Sequence, residues 1–89
     1  MDVKAKANEI MELVSGSNMH DYDKATWTGS AVYVSNAYEE LNQLFLGYCR
    51  ENAPDGSFDR CIEAAMQQLE QAVASLEAEV INEIAEAAE

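Results

Sequence analysis

An uninterrupted stripe of apolar residues in the last third of the chain most constrains the fold. Its members step along the sequence by four and three residues: Ile62, Met66, Leu69, Val73, Leu76 and Val80. This spacing places them on one side of an α-helix and is typical of a helix that packs lengthwise against another. Because Ile84 continues the stripe and the surrounding alanines are strong helix formers, we expect a helix from about Asp59 to Ala88, after Ser57 as a cap.

Two more segments have helical periodicity. The first is predicted over about residues 2–15, where apolar residues recur every three or four positions before Ser15-Gly16 provides a stop. The second is predicted near residues 30–51, with Thr28 or Ser30 as its cap. Its apolar face comprises Val34, Ala37, Tyr38, Leu41, Leu44, Phe45, Tyr48 and Cys49. Residues 16–29 would then form a long loop.

The short break at 52–56 predicts that the second and third helices form an antiparallel hairpin. In that register, the facing pairs are Cys49 with Cys61, Phe45 with Ala65, Leu41 with Leu69, and Val34 with Leu76. Residues after about Val80 would extend beyond the second helix, and Ile81 and Ile84 would pack on the first helix, on the 16–29 loop or on another molecule. We therefore predict a single all-α domain over residues 1–89, with three helices and a long acidic C-terminal helix.

The charge of the chain narrows the classes of partner. Among the 89 residues, 17 are acidic and 5 basic, giving a formal net charge of -12. Such a chain should repel nucleic acid and anionic membranes. We find no apolar stretch typical of a signal peptide or a membrane span, and two cysteines are too few for a disulfide framework. A cytoplasmic protein is therefore expected.

The acids of the third helix form two rows, one on each side of the apolar stripe. The first row is Asp59, Glu63, Glu70 and Glu77, and the second row is Glu79, Glu83 and Glu86. No lysine or arginine lies between residue 61 and the end of the chain. Either the rows only keep the protein soluble, or they imitate backbone phosphates and occupy the basic groove of a nucleic-acid-binding protein.

Charge density tests the second interpretation. From Asp59 to Glu89 the net charge is eight acids minus Arg60, or -7, over about 45 Å of helix. That is one charge per about 6 Å, against one per roughly 1.7 Å in duplex DNA. Imitation would therefore need further acids or a homodimer that places two such helices side by side. The acids available elsewhere are Asp21, Asp23, Glu39 and Glu40.

In size, charge and helicity the chain resembles small acidic viral proteins that block restriction or CRISPR effector complexes. The resemblance is one of composition and includes no motif, so no residue role is carried over. It implies an inhibitor that acts by binding, in viral anti-defence.

The 16–29 segment contains the only tryptophan and the only histidine. Trp27 is expected to fill the core or to anchor an interface. The tripeptide at 27–29 resembles the turn of the Trp-X-Gly family of small secreted helical hairpins, although the chain lacks that family's Tyr-x-x-x-Asp/Glu near the carboxyl terminus. His20, Asp21 and Asp23 share one loop without a helical ligand set, so we predict no metal site.

Catalysis has little support in the sequence. The single His20 lies in a different segment from Cys49 and Cys61, and the glycines are scattered. We predict a non-enzymatic inhibitor, without a cofactor, of a basic nucleic-acid-binding protein or effector complex. The alternative is a dimerising helical adaptor or chaperone-like module. The predicted contact residues are Asp21, Asp23, Trp27, Glu39, Glu40, Asp59, Glu63, Glu70, Glu77, Glu79, Glu83 and Glu86.

Overall fold

The computed structural model describes residues 1–49 and 56–88, without the side chains of residues 48, 49 and 58. It contains three α-helices: α1 (Val3–Ser15), α2 (Asp21–Leu44) and α3 (Ser57–Ala88). A π-helical turn, Phe45–Cys49, continues α2. Since the described residues include no strand, the all-α prediction is confirmed.

Helix α1 begins and ends where its sequence predicts. The Asp2 carboxylate accepts a hydrogen bond from the Ala5 amide at 3.0 Å, which satisfies a free N–H group of the first turn. At the other end, the Gly16 amide donates to the Glu12 carbonyl at 3.1 Å. These two caps confine α1 to the predicted residues.

Helix α2 begins at Asp21, so the predicted start near residue 30 is wrong and the connection shrinks to residues 16–20. Asp21 and Asp23 lie in the first turn, where the positive end of the helix dipole favours carboxylates. The Thr26 hydroxyl donates to the Tyr22 carbonyl and the Ser30 hydroxyl to the Thr26 carbonyl. These polar side chains therefore bond within a helix instead of marking a loop.

The early start of α2 also corrects the interpretation of residues 27–29. All three residues lie inside the helix, and Gly29 has no left-handed backbone conformation. Glycine in a helix interior costs roughly 1 kcal/mol relative to alanine but does not end the helix when its neighbours pack well. The resemblance to a Trp-X-Gly turn is therefore wrong.

Helices α2 and α3 form the predicted antiparallel hairpin. Leu41 of α2 lines the same groove as Leu69 and Ala65 of α3. On the other side of the hairpin, the Tyr38 hydroxyl lies 3.4 Å from a Glu70 carboxylate oxygen, which fits the same register. The predicted pairing of Cys49 with Cys61 depends on a side chain outside the described residues.

The residues of α3 after Val80 do not extend beyond α2, contrary to the prediction, but Ile84 packs against a core that includes α1, which is one of the predicted alternatives. Because α2 is longer at its amino end than predicted, it accompanies α3 to the carboxyl end of the described residues. Val80 is fully buried, and Ile84 packs against the core. Ile81 remains 52% exposed, so its packing on another molecule stays a prediction.

Helix α1 covers only half of the hairpin. The Met1 amino group lies 3.8 Å from a Glu70 carboxylate oxygen, and the Lys6 ammonium lies 3.0 Å from Glu77, so α1 runs parallel to α3. The core is concentrated in this half: Val3, Ala7, Ile10, Val14, Met19, Ala31, Val73 and Val80. Among the described residues, the other half has two helices only, and the molecule is a rod with extents of 55 × 17 × 16 Å.

Candidate partner-binding surface

Two members of the first acid row are engaged within the molecule. Glu77 accepts hydrogen bonds from Lys6 at 3.0 and 3.2 Å, and Glu70 contacts both the Met1 amino group and the Tyr38 hydroxyl. The Glu77 hydrogen bond raises the pKa of Lys6 above its ordinary value. Burial, with a contribution from the Glu70 charge, raises the pKa of Tyr38. These carboxylates help to hold α1 on the hairpin.

The remaining members of the first row face different surroundings. Glu63 is exposed and lines a shallow pocket beside Tyr38 and Met66. Asp59 is partly buried, and its Oδ1 atom has no hydrogen-bond partner among the described residues. The first row is therefore not a continuous open line of charge.

The second row lies on the opposite side of the hairpin from α1, a side that we call the open face. At 100° per residue, Glu79, Glu83 and Glu86 fall on the flank of α3 away from Lys6. Glu79 and Glu86 are exposed and Glu83 is partly buried. None of the three forms an ion pair with a residue that the structure describes. Within α3, this is the row in which no carboxylate has an ion-pair partner among the described residues, whereas Glu70 and Glu77 of the first row have one.

The position of the second row is unfavourable for the free protein. Glu83 lies four residues after Glu79 and three before Glu86, so like charges are neighbours on the helix surface. The row is also near the carboxyl end of α3, where the helix dipole repels anions, and the last turn contains no basic residue. Each effect costs a few tenths of a kcal/mol, up to about 1 kcal/mol.

The open face also contains an apolar groove where α2 and α3 meet without α1. Its volume is about 620 Å³. We call it the open groove, and its lining residues are Tyr33, Ala37, Glu40, Leu41, Leu44, Ala65, Gln68, Leu69 and Ala72. Tyr33 is 74% exposed and Leu44 is 44% exposed. The open face is thus apolar over the two-helix half and acidic towards the end of α3.

The predicted acids of α2 occupy two separate places. Asp21 and Asp23 are exposed in its first turn, and the antiparallel register brings that turn beside the last turn of α3. They therefore share one end of the rod with the second row. Glu39 accepts a hydrogen bond from Gln43 at 3.3 Å, and Glu40 lines the open groove, both in the other half of the molecule.

The sequence predicted that Trp27 lies in a loop. In the structure it lies inside α2. It is partly buried and packs against the core, as the first of its two predicted roles requires. Among the aromatic side chains that the structure describes, two that were not predicted as contact residues are exposed: Tyr22 is 81% exposed and Tyr33 is 74% exposed. They are eleven residues apart, or three turns, on the same side of α2. A helical periodicity starting at Asp21 would have predicted this arrangement.

The described residues contain no group of three or more histidine, cysteine, aspartate or glutamate side chains placed to hold a metal ion. His20 precedes α2 and the exposed Cys61 lies near the start of α3, so the antiparallel hairpin separates them to opposite ends of the rod. In the described part of the chain, no helix combines the length and apolar character needed to cross a bilayer.

Comparison with known proteins identifies no relative of this chain. No family model matches it, and no curated protein or solved structure is significantly similar to it. The uncompensated second row and the open groove are therefore the features from which a function is inferred.

Proposed function

We propose that the protein is a small acidic inhibitor that binds the basic groove of a nucleic-acid-handling protein and excludes its nucleic-acid ligand. The observation that supports this proposal is the second row: Glu79, Glu83 and Glu86 lie side by side on the open face without a counter-charge among the described residues. A basic groove offers the charge that this row lacks. The proposed partner is a basic nucleic-acid-binding protein or effector complex, of the kind that a viral anti-defence protein blocks.

The charge density of the whole rod supports competition with nucleic acid better than that of α3 alone. A net charge of -12 along 55 Å is one charge per about 4.6 Å, denser than the one per about 6 Å of α3 but sparser than the one per roughly 1.7 Å of duplex DNA. Asp21 and Asp23 add to the field at the same end as the second row. The whole rod therefore comes closer to the charge density of nucleic acid than α3 alone does.

The energetic cost of the second row is a further argument. Carboxylates that repel one another and the helix dipole reduce the stability of the free protein. Contact with lysine or arginine side chains would offset the repulsion among the carboxylates and the repulsion by the helix dipole. Binding would therefore relieve a destabilisation that is present in the free protein. Glutamine at these positions would give a soluble helix without that cost.

The test is retention of proteins from a nuclease-treated cell lysate on the immobilised chain. We expect basic DNA- or RNA-binding proteins to be retained, to elute as salt is raised, and to be displaced by added duplex DNA or RNA. Screening acts on exposed charges within about 8 to 10 Å at physiological ionic strength. Retention that ignored both salt and added nucleic acid would contradict the proposal.

The open groove favours a second candidate, a helical adaptor that dimerises through Leu41, Leu44 and Leu69. In that case the acids would serve solubility only. Sedimentation velocity over a hundredfold range of concentration distinguishes the two candidates when combined with Ala72→Gln. A dimer that this substitution abolishes, together with no retention of basic proteins, would favour the adaptor.

A further inference from the structure

The open groove lies between the same two helices that α1 contacts on the other side of the hairpin. There, α1 presents a stripe of apolar side chains with helical spacing to the seam between α2 and α3: Val3, Ala7, Ile10 and Val14. The open groove is also a seam between these two helices, and it extends along α2 from Tyr33 to Leu44, which are eleven positions apart. That is about 17 Å, or three turns of a docked helix.

Charge identifies the kind of helix that fits. Lys4 and Lys6 belong to α1, which packs on the other side of the hairpin, and Lys24 reaches the Ser15 carbonyl at 3.3 Å. At 100° per residue, Arg60 also points away from the open face. The open face thus presents Glu40 and the second row with no base among the described residues. A second copy of this chain would bring more carboxylates to the contact, whereas a basic helix would neutralise those present.

We propose that the open face binds an amphipathic helix of the partner, with apolar anchors in the open groove and lysine or arginine residues on the second row. This inference rests on the proposed function and specifies the element that is recognised. Leu69 in the groove and Glu83 in the row are fourteen residues apart on α3, or about 21 Å. The bound helix therefore has its basic cluster about four turns from its apolar anchors, on the same side.

The exposed tyrosine at the edge of the groove adds a specific contact. Tyr33 is 74% exposed and lies over the seam with Leu44 three turns away. Tyrosine is enriched among residues that dominate binding energy, because a large ring gains contact area with few rotatable bonds. The open groove thus has the apolar floor and the aromatic edge of a helix-binding site.

The experiment uses the full chain and a synthetic helix of about 24 residues with four leucines at helical spacing and four lysines four turns further along the same side. The control peptide has the same composition with the lysines on the opposite side. Binding is followed by two-dimensional NMR of the isotope-labelled chain. We expect shifts at Tyr33, Leu41, Leu69 and Ala72 and along the second row, and at least tenfold weaker binding of the control peptide.

Two variants of exposed alanines on α3 locate the contact. Ala72→Gln places a longer side chain in the open groove and should weaken binding of the lysine peptide at least tenfold. Ala78→Gln, on the same helix but outside the groove, should change it less than twofold. Neither position is in the core, so both variants should fold.

The outcomes separate this inference from the proposed function. Equal binding of the two variants, shifts confined to α1, or no binding of the peptide at millimolar concentration would overturn the inference. A dimer of the chain that Ala72→Gln abolishes would also overturn it, because the occupant would then be a second copy. In each case, retention of basic proteins that nucleic acid displaces would leave the proposed function standing.

Discussion

Lys6 of α1 and Glu77 of α3 form an ion pair in which Nζ lies 3.0 Å from Oε2. The contact shows how the acids on the two flanks of α3 differ in their surroundings. On the α1 side, Glu77 and Glu70 stabilise the position of a neighbouring helix. On the open face, the carboxylates have no described counter-charge. The same residue type therefore has a structural role on one flank of the helix and a proposed binding role on the other.

The ion pair predicts a loss of stability at alkaline pH. The pKa of Lys6 is raised above 10.5 in the folded state, so its contribution is complete below that pH and is lost as the pH rises beyond it. The pKa of Tyr38 is raised above 10.0, which acts in the same direction because the folded protein disfavours the phenolate. Urea unfolding at about pH 8 and about pH 11 should show a smaller difference for Lys6→Met than for the wild type.

The control for this prediction is Lys4→Met, since Lys4 is exposed and has no ion pair among the described residues. It removes the same charge from the same helix. If both variants showed the same dependence on pH, the Lys6 contact would not be the source of the loss.

The second row predicts a substitution that stabilises the free protein. Glu83→Gln removes repulsion by Glu79 and Glu86 and by the helix dipole, so the free energy of unfolding should increase by about 0.3 to 1 kcal/mol. Glu40→Gln is the matched control, because no acid lies three or four residues from Glu40. Thermal unfolding measures both. A decrease in stability for Glu83→Gln would mean that an unrecognised contact holds this carboxylate.

Two aromatic residues of α2 should have different roles: Trp27 stabilises the fold, and Tyr33 contributes to binding. Trp27→Ala should cost about 2 to 3 kcal/mol of stability, because the indole packs against the core. Tyr33→Ala should change stability by less than about 0.5 kcal/mol but weaken peptide binding. Denaturant unfolding and the NMR titration check the two effects. A large loss of stability for Tyr33→Ala would contradict its assignment to the surface.

The uneven core predicts uneven protection of backbone amides. The half of the rod covered by α1 contains eight buried apolar residues of the core cluster, while the two-helix half contains one described buried residue, Ile62. Amides of α1 and of 70–84 in α3 should exchange slowly with solvent, and those of 57–69 faster, because local opening exposes little apolar surface there. Uniform protection along α3 would contradict this distribution.

The sequence predicted the elements whose apolar spacing is strong. The stripe from Ile62 to Val80 located α3, and its register with Leu41 located the hairpin. The prediction from the sequence was wrong at the start of α2. Thr26, Gly29 and Ser30 have a local preference for loops, but they are helical because packing against α1 outweighs that preference. That single error produced the false overhang of Ile84 and placed Trp27 in a loop.

The candidate surface was only partly predictable. The two acid rows follow from 100° per residue, but which row is free depends on where α1 docks. Lys6 and Glu77 are 71 residues apart, and no local pattern indicates their contact. The open groove could not be predicted from the sequence for the same reason, because it is open only where α1 does not cover the seam between α2 and α3.

The central claim is that the open face is the binding surface. Its most direct test measures how tightly two triple variants of equal charge bind a basic partner that was retained from lysate. One variant replaces the second row: Glu79→Gln, Glu83→Gln and Glu86→Gln. The other replaces three acids of the first row: Glu63→Gln, Glu70→Gln and Glu77→Gln. Circular dichroism confirms that both are folded before binding is measured.

The measurement is the dissociation constant at several salt concentrations. We predict that loss of the second row weakens binding at least tenfold and lowers its salt dependence. Loss of the first-row acids should weaken binding less than threefold, because two of them are engaged within the molecule. Equal losses, or a larger loss for the first-row variant, would contradict the claim that the open face is the binding surface.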